Sequence, residues 1–274
     1  MRVQIENVSF TYPSGVRAVD EVGLSIESGE ALAVIGENGA GKTTLVKLLN
    51  GLLRPTSGKV RVGGWDTKEH TTAELAARVG FLFQNPDEQL FERSAEREVA
   101  FGPRNLGFSE STIKVRTRAA LQQVGLLDKA AVNPYDMQPF ERKLLALAST
   151  LAMQAPVLVL DEPSIGQDAA GRQRIGRILV DLHKKKSTIL LISHDLDFCA
   201  QHAERAVVMA GGRILADGPI GDVFTQADLL DKAAVSPPQL VRLAQSLNMP
   251  NAPLTPRRFV SAYSKWRGRR KRNL

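Results

Sequence analysis

Only one cysteine, Cys199, stands in this chain of 274 residues, so no internal disulfide can form, which fits a reducing cytosol. It sits in the apolar-spaced run 196–203, where a buried structural role is expected of it. Long hydrophobic runs are missing as well. The longest, such as 156–160 and 189–192, are far too short to cross a bilayer. Residues 1–5 show no secretory pattern and no apolar h-region. Acidic residues are absent from 257–274, where eight Lys or Arg lie; the whole chain carries +7, so the rest carries −1. The body is therefore close to neutral, which argues against a nucleic-acid surface spread over the fold. The cationic run, centred on 267–272, is expected to be a solvated and poorly ordered end, with an anionic membrane surface or nucleic acid as alternative partners.

What is present suits a soluble protein with a substantial core: 43% of residues are apolar and 24% charged. Residues 3–10 and 19–26 alternate apolar and polar positions like half-exposed strands, with a Pro-Ser-Gly turn at 13–15 between them. Residues 31–35 form a short continuous apolar run, as in a strand buried on both faces. Further strands are expected at 59–62, 79–83, 157–160 and 188–192, and a hairpin at 206–209 and 213–216 about Gly211-Gly212. Helical spacing marks 43–53, 113–124, 141–153 and 172–184. Strands alternating with helices predict an α/β fold with a mainly parallel sheet and an antiparallel layer from the early strands. A Pro-punctuated helical stretch after about residue 220 suggests a small C-terminal extension.

Gly36-Glu37-Asn38-Gly39-Ala40-Gly41-Lys42-Thr43 matches the phosphate-binding P-loop pattern in full, and Thr44 follows it. Glycines let the backbone curl so that its N–H groups point at phosphates, and the next helix presents its positive end to the anion. Lys42 is placed to neutralise the β- and γ-phosphates and the Thr43 hydroxyl to ligate Mg²⁺. ATP and Mg²⁺ are the expected ligands.

Residues 157–160 lead straight into Asp161-Glu162. Ligands of such sheets bind beyond the carboxyl ends of the strands, so Asp161 is expected to face Mg²⁺ and Glu162 to orient or deprotonate an attacking water. Residues 189–192 end similarly in Ser193-His194, where His194 is either a donor to the γ-phosphate or a surface histidine beside a Ser193 helix cap. Gln84, after the strand at 79–83, is either a polar helix start or a ligand of Mg²⁺ and water.

With these pieces in this order the chain resembles the ATP-binding cassette family over roughly residues 1–220. The resemblance implies a P-loop NTPase with a RecA-like sheet, a helical subdomain at about 85–153, an extension at 221–256 and a basic tail at 257–274. It also implies that Tyr12 stacks on adenine, that Gln84 is the Q-loop glutamine, that Asp161 and Glu162 are the Walker B pair and that His194 is the switch histidine. Residues 164–168, ending in Asp168, look like the D-loop that crosses to a partner subunit. A finer match, on Phe83-Gln84-Asn85-Pro86-Asp87-Glu88-Gln89-Leu90-Phe91, on residues 99–107 and on 236–244, is similar to ATPases of energy-coupling factor importers. That group implies a partner ATPase, a transmembrane coupling subunit and a substrate-binding membrane subunit for a metal ion or vitamin. The chain itself would then be a peripheral subunit on the cytoplasmic face of the cell membrane.

One motif departs from the family. Where its signature reads Leu-Ser-Gly-Gly followed by Gln or Glu, this chain reads Met137-Gln138-Pro139-Phe140-Glu141. In the family this loop clamps ATP held by the opposite subunit. Pro139 has no N–H to give, and Phe140 puts a ring where close backbone approach is needed. Each lost donor at developing charge costs about 3 kcal/mol. Gln138 keeps one amide donor, and Pro at a helix start leaves the fold intact. The expectation is one degenerate composite site in a heterodimer. The alternatives are a regulatory subunit that binds ATP with little hydrolysis, and a soluble cassette ATPase acting on nucleic acid.

Overall fold

The computed structural model describes residues 1–250 and 252–270. Its strands form two sheets. The first is antiparallel, with β1 (Val3–Thr11) between β2 (Arg17–Ile26) and β4 (Ser57–Val62), and β5 (Trp65–Asp66) at the edge. The second has the order β10-β9-β3-β8-β7-β6. In it β3 (Ala31–Ile35), β8 (Thr188–Ile192), β7 (Val157–Asp161), β6 (Val79–Leu82) and β9 (Arg205–Ala210) are parallel. Only β10 (Arg213–Pro219) runs against its neighbour, through the expected Gly211-Gly212 turn.

Alternation along the buried strands divides the interior into two cores. On β3, Ala31, Ala33 and Ile35 face a core built with helices, whereas Leu32 and Val34 face one shared with the antiparallel sheet. The same division recurs at Leu158 and Leu160 against Val157 and Val159, and at Ile189 and Leu191 against Leu190 and Ile192. A strand wetted on neither side is continuously apolar, which is why these runs were readable. The antiparallel layer covers one face of the sheet, and α5 (Pro139–Met153), α6 (Ala169–Lys184) and α7 (Leu196–His202) contribute to the core on the other. Cys199 is buried there.

Several elements differ from the sequence expectation. The helix after the P-loop, α1 (Lys42–Lys47), is shorter than 43–53, because Leu48 and Leu49 close tighter i→i−3 bonds and the chain turns through Gly51 at φ +72°. A short helix, α2 (Thr72–Ala76), capped by Thr71 and Glu74, was not anticipated. Between β6 and β7 lie α3 (Ala95–Asn105), α4 (Glu110–Val124) and α5. α3 falls in the expected helical subdomain but was not singled out as a helix; Pro103 occupies its last turn. The buried Glu98 carboxylate of α3 accepts from the Phe91 and Glu92 amides, and burial pushes its pKa up.

After β10 come α8 (Ile220–Phe224), α9 (Ala227–Lys232), α10 (Gln239–Ser246) and α11 (Pro256–Arg270). Phe224, Leu230 and Ala233 are buried in the helix-side core, so the extension packs on the sheet. The basic end was expected to be poorly ordered. Instead Pro256–Arg270 is a helix with Phe259 buried and its ring parallel to Tyr263, while 271–274 lie outside the described residues. The expectation weighed charge alone and overlooked aromatic residues at helical spacing. No helix among the described residues is long and apolar enough to cross a membrane.

The P-loop is wedged between backbone segments. A Cβ on Gly36 would lie 2.1 Å from the Met209 carbonyl oxygen, and one on Gly41 2.1 Å from that of Ala18. At Gly39 it would meet open space, at φ +85°. Gly39→Ala is therefore expected to cost only about 1–2 kcal/mol of strain, and Gly41→Ala about 3 kcal/mol or more. Urea denaturation of the two variants checks the ordering. Phe224→Ala, at a fully buried position, should cost about 3–5 kcal/mol if the extension shares the main core, read in the same experiment.

Candidate functional site

Residues 36–44 link the end of β3 to α1 at the carboxyl edge of the parallel strands. The loop is held from behind: the Gly212 amide donates to the Ala40 carbonyl at 3.2 Å, and the Asp20 amide donates to the Gly212 carbonyl at 2.9 Å. The Lys42 ammonium folds back into the loop and donates to the Gly36 and Glu37 carbonyls at 2.8 and 2.7 Å. Burial lowers its pKa, against the fields of Glu162, Asp161 and Glu37.

A cleft of about 570 Å³ opens above the loop. Tyr12, Asn38, Gly39, Gly41, Lys42, Thr43, Thr44, Gln84, Asp161, Glu162 and His194 line it, so residues from five separated stretches of sequence meet in one place. At one end Tyr12 stands edge-on to Phe10, with ring centroids 4.8 Å apart, and its hydroxyl shares a 3.0 Å hydrogen bond with that of Thr44. Val16 and Ala18 complete this end, which presents a ring face and small apolar groups of the kind that stack a base.

At the other end Thr43 Oγ1 donates to Asp161 Oδ2 at 2.8 Å. Asp161 Oδ1 is buried with no hydrogen-bond partner among the described residues, which leaves it free to meet a ligand. Burial raises the pKa of this carboxyl, opposed by the Thr43 hydrogen bond. No three His, Cys, Asp or Glu among the described residues are grouped to hold a metal. One carboxylate, one hydroxyl and one amide suit Mg²⁺, which keeps waters and shares phosphate oxygens rather than entering an all-protein cage.

Glu162 sits at φ 49°, an uncommon conformation for a residue with a side chain. Its carboxylate is almost fully buried and accepts from Ser193 Oγ at 3.0 Å, the His194 amide at 3.0 Å and His194 Nδ1 at 2.8 Å. The His194 side chain is 59% exposed. Because Nδ1 gives its proton to Glu162, Nε2 donates to a phosphate only when the ring is protonated or has turned. Ser193 does not cap α7 as expected, that helix being capped by Asp195; its hydroxyl donates to the Glu162 carboxylate instead.

The signature-like residues and Asp168 are not in the cleft. Met137 is buried, whereas Gln138, Pro139 and Phe140 are exposed at the start of α5, Phe140 by 39%. Pro139 is the first residue of that helix. Glu141 accepts from the Gln138 amide and pairs with Lys129 at 2.5 Å. Asp168 caps α6 by accepting from the Gly171 amide at 2.7 Å, and the neighbouring Gln167 donates to the Phe140 carbonyl at 3.0 Å.

Two polar residues escaped the sequence reading. Gln89 accepts from the Phe83 amide and donates to Ala146, Ser149 and Thr150 of α5. Lys143, whose pKa burial pushes down to about 8, donates to three main-chain carbonyls. A signal existed for Lys143: it shares a helix face with Leu147 and Thr150, both buried.

A family model described as ABC transporter matches residues 19–165. The energy-coupling factor transporter ATP-binding protein EcfA of Methanosphaera stadtmanae is 37% identical over 248 residues, which cover 90% of this chain and 89% of that protein. EcfA2 of Clostridium tetani, described in the same words, is 39% identical over 259 residues, 90% of this chain and 89% of that one. The solved structure of cbiO1 from Clostridium perfringens, described as part of the ABC transporter complex cbiONQ, matches with a TM-score of 0.74 at 30% identity. The match covers 90% of this chain and 98% of that chain. P-loop, buried acidic strand end and two-sheet architecture agree with these likenesses: the chain belongs to the ABC transporter family, as one of its ATP-binding proteins.

Proposed function

We propose that this chain is the ATP-binding and hydrolysing subunit of an energy-coupling factor importer, a peripheral protein on the cytoplasmic face of the membrane. Its partners are a second ABC ATPase, a transmembrane coupling subunit and a membrane subunit that selects a metal ion or vitamin. The observation that carries this reading is the convergence of Lys42, Thr43, Asp161, Glu162 and His194 on one cleft, with Gln138, Pro139 and Phe140 exposed elsewhere.

In the cleft, Tyr12 takes the base and the amides of 36–44 take the phosphates. The Lys42 ammonium exchanges its loop carbonyls for phosphate oxygens. Bound Mg²⁺ offsets charge on the phosphates as the γ-phosphoryl group leaves; Thr43, Asp161 and Gln84 would hold it. Glu162 orients and deprotonates the attacking water, and His194 turns from it towards the γ-phosphate.

The second half of each site comes from the opposite subunit. A signature loop stabilises phosphate with a serine hydroxyl and glycine amides, but here position 139 lacks an N–H and 140 carries a ring. A heterodimer therefore contains one good site, formed by this chain's P-loop with the partner's signature, and one poor site with the roles reversed. The exposed Pro139-Phe140 pair also favours a second reading, a regulatory subunit with little hydrolysis of its own. Steady-state phosphate release by the assembled complex separates the two.

In the assembled complex, Lys42→Ala should reduce ATPase activity at least tenfold more than mutation of the equivalent P-loop lysine in the partner. Equal losses would overturn the asymmetry. Restoring Ser-Gly-Gly by Gln138→Ser, Pro139→Gly and Phe140→Gly should raise turnover severalfold, since each restored donor is worth up to about a hundredfold at its own site. An unchanged rate would count against this account of the loop.

A further inference from the structure

Lys143 lies on α5, two residues beyond the signature-like loop, and is only 3% exposed. Its ammonium donates to the carbonyls of Phe83 at 2.7 Å, Gln84 at 2.6 Å and Asp161 at 3.2 Å. Three protons meet three acceptors, and every acceptor is main chain. Desolvating a cation without pairing it directly to a carboxylate is costly, and the three carbonyls together with the nearby fields of Asp161 and Glu162 offset it in part. A leucine or methionine would pack this position of α5 without that cost.

The three carbonyls share one neighbourhood. β6 and β7 are adjacent parallel strands, with Leu82 opposite Leu160, and the chain leaves them at Phe83-Gln84 and at Asp161. Lys143 thus spans the two strand ends that carry Gln84 and Asp161, and it does so from the helix that begins at residue 139. Gln89, also bonded to α5, fixes the far side of the same turn.

We propose that Lys143 is a positioning residue that ties Gln84 and Asp161 together as Mg²⁺ ligands and joins them rigidly to the signature-bearing helix. This rests on the reading of the cleft as a Mg–ATP site.

The test uses the full-length chain with Lys143→Met, which keeps the stem and removes the donors. ATP binding is titrated in EDTA, and Mn²⁺ binding to the ATP-loaded protein is followed by electron paramagnetic resonance. Metal-free ATP affinity is expected to stay within threefold of the parent, while Mn²⁺ affinity falls at least tenfold. In the assembled complex the Mg²⁺ concentration for half-maximal ATPase activity should rise in parallel. Unchanged Mn²⁺ affinity in the folded variant, even with lowered thermal stability, would overturn the proposal. If Lys143→Met does not fold, Lys143→Leu, which also removes the donors, carries the same test with the same overturning result. Failure of the unmutated chain to bind Mn²⁺ with ATP would instead remove the transport-motor reading.

Discussion

The close approach of backbone to backbone around residues 36–41 conditions everything else at the cleft. Gly36 lies against the Met209 carbonyl and Gly41 against that of Ala18, at separations no side chain tolerates. That contact sets the curl of the loop, and the helix beginning at Lys42 follows it. The glycines are thus packing residues as much as flexible ones. The open space around Gly39, by contrast, leaves only its dihedral to account for the absence of a side chain.

Charge balance explains why the cleft suits a metal–nucleotide pair rather than a bare triphosphate. Lys42 and Lys143 are buried cations, and Asp161 and Glu162 are buried carboxylates. Together they come close to neutrality, so the protein brings little net positive charge of its own to the cleft, and under the proposed reading a divalent ion would supply the remainder. Each carboxylate is held by a different set of donors. Asp161 is met by Thr43 and keeps one oxygen unpartnered, whereas Glu162 is saturated by Ser193 and His194. Two adjacent acids on one strand end thereby sit in different electrostatic surroundings.

Much of this was legible in the sequence because parallel strands buried on both sides leave continuous apolar runs, and because the P-loop must use glycine at fixed places. The carboxyl-end residues Asp161, Glu162, Ser193 and His194 could be located by reading one step past each run. Less legible were contacts in which a side chain serves a distant main chain. Gln89 lies inside the matched segment 83–91 and Lys143 just beyond the signature-like residues, but no role was read for either; their meaning lies in carbonyls and amides that only the fold brings near. The helix Ala95–Asn105 was not singled out, since Gly102 and Pro103 interrupt the spacing by which the other helices were read. The helix Pro256–Arg270 was hidden by its charge, although Phe259, Tyr263 and Trp266 keep helical spacing beneath the arginines.

The hairpin turn at Gly211-Gly212 reaches back across the molecule to hold both Ala40 and Asp20. A cradle encoded in the first fifth of the chain is therefore closed by a segment made in its last quarter. During synthesis the early residues can pair as an antiparallel layer, but the grip on phosphate waits until β9 and β10 have left the ribosome. A product terminated before β9 would carry the phosphate motif without the segments that pack against it.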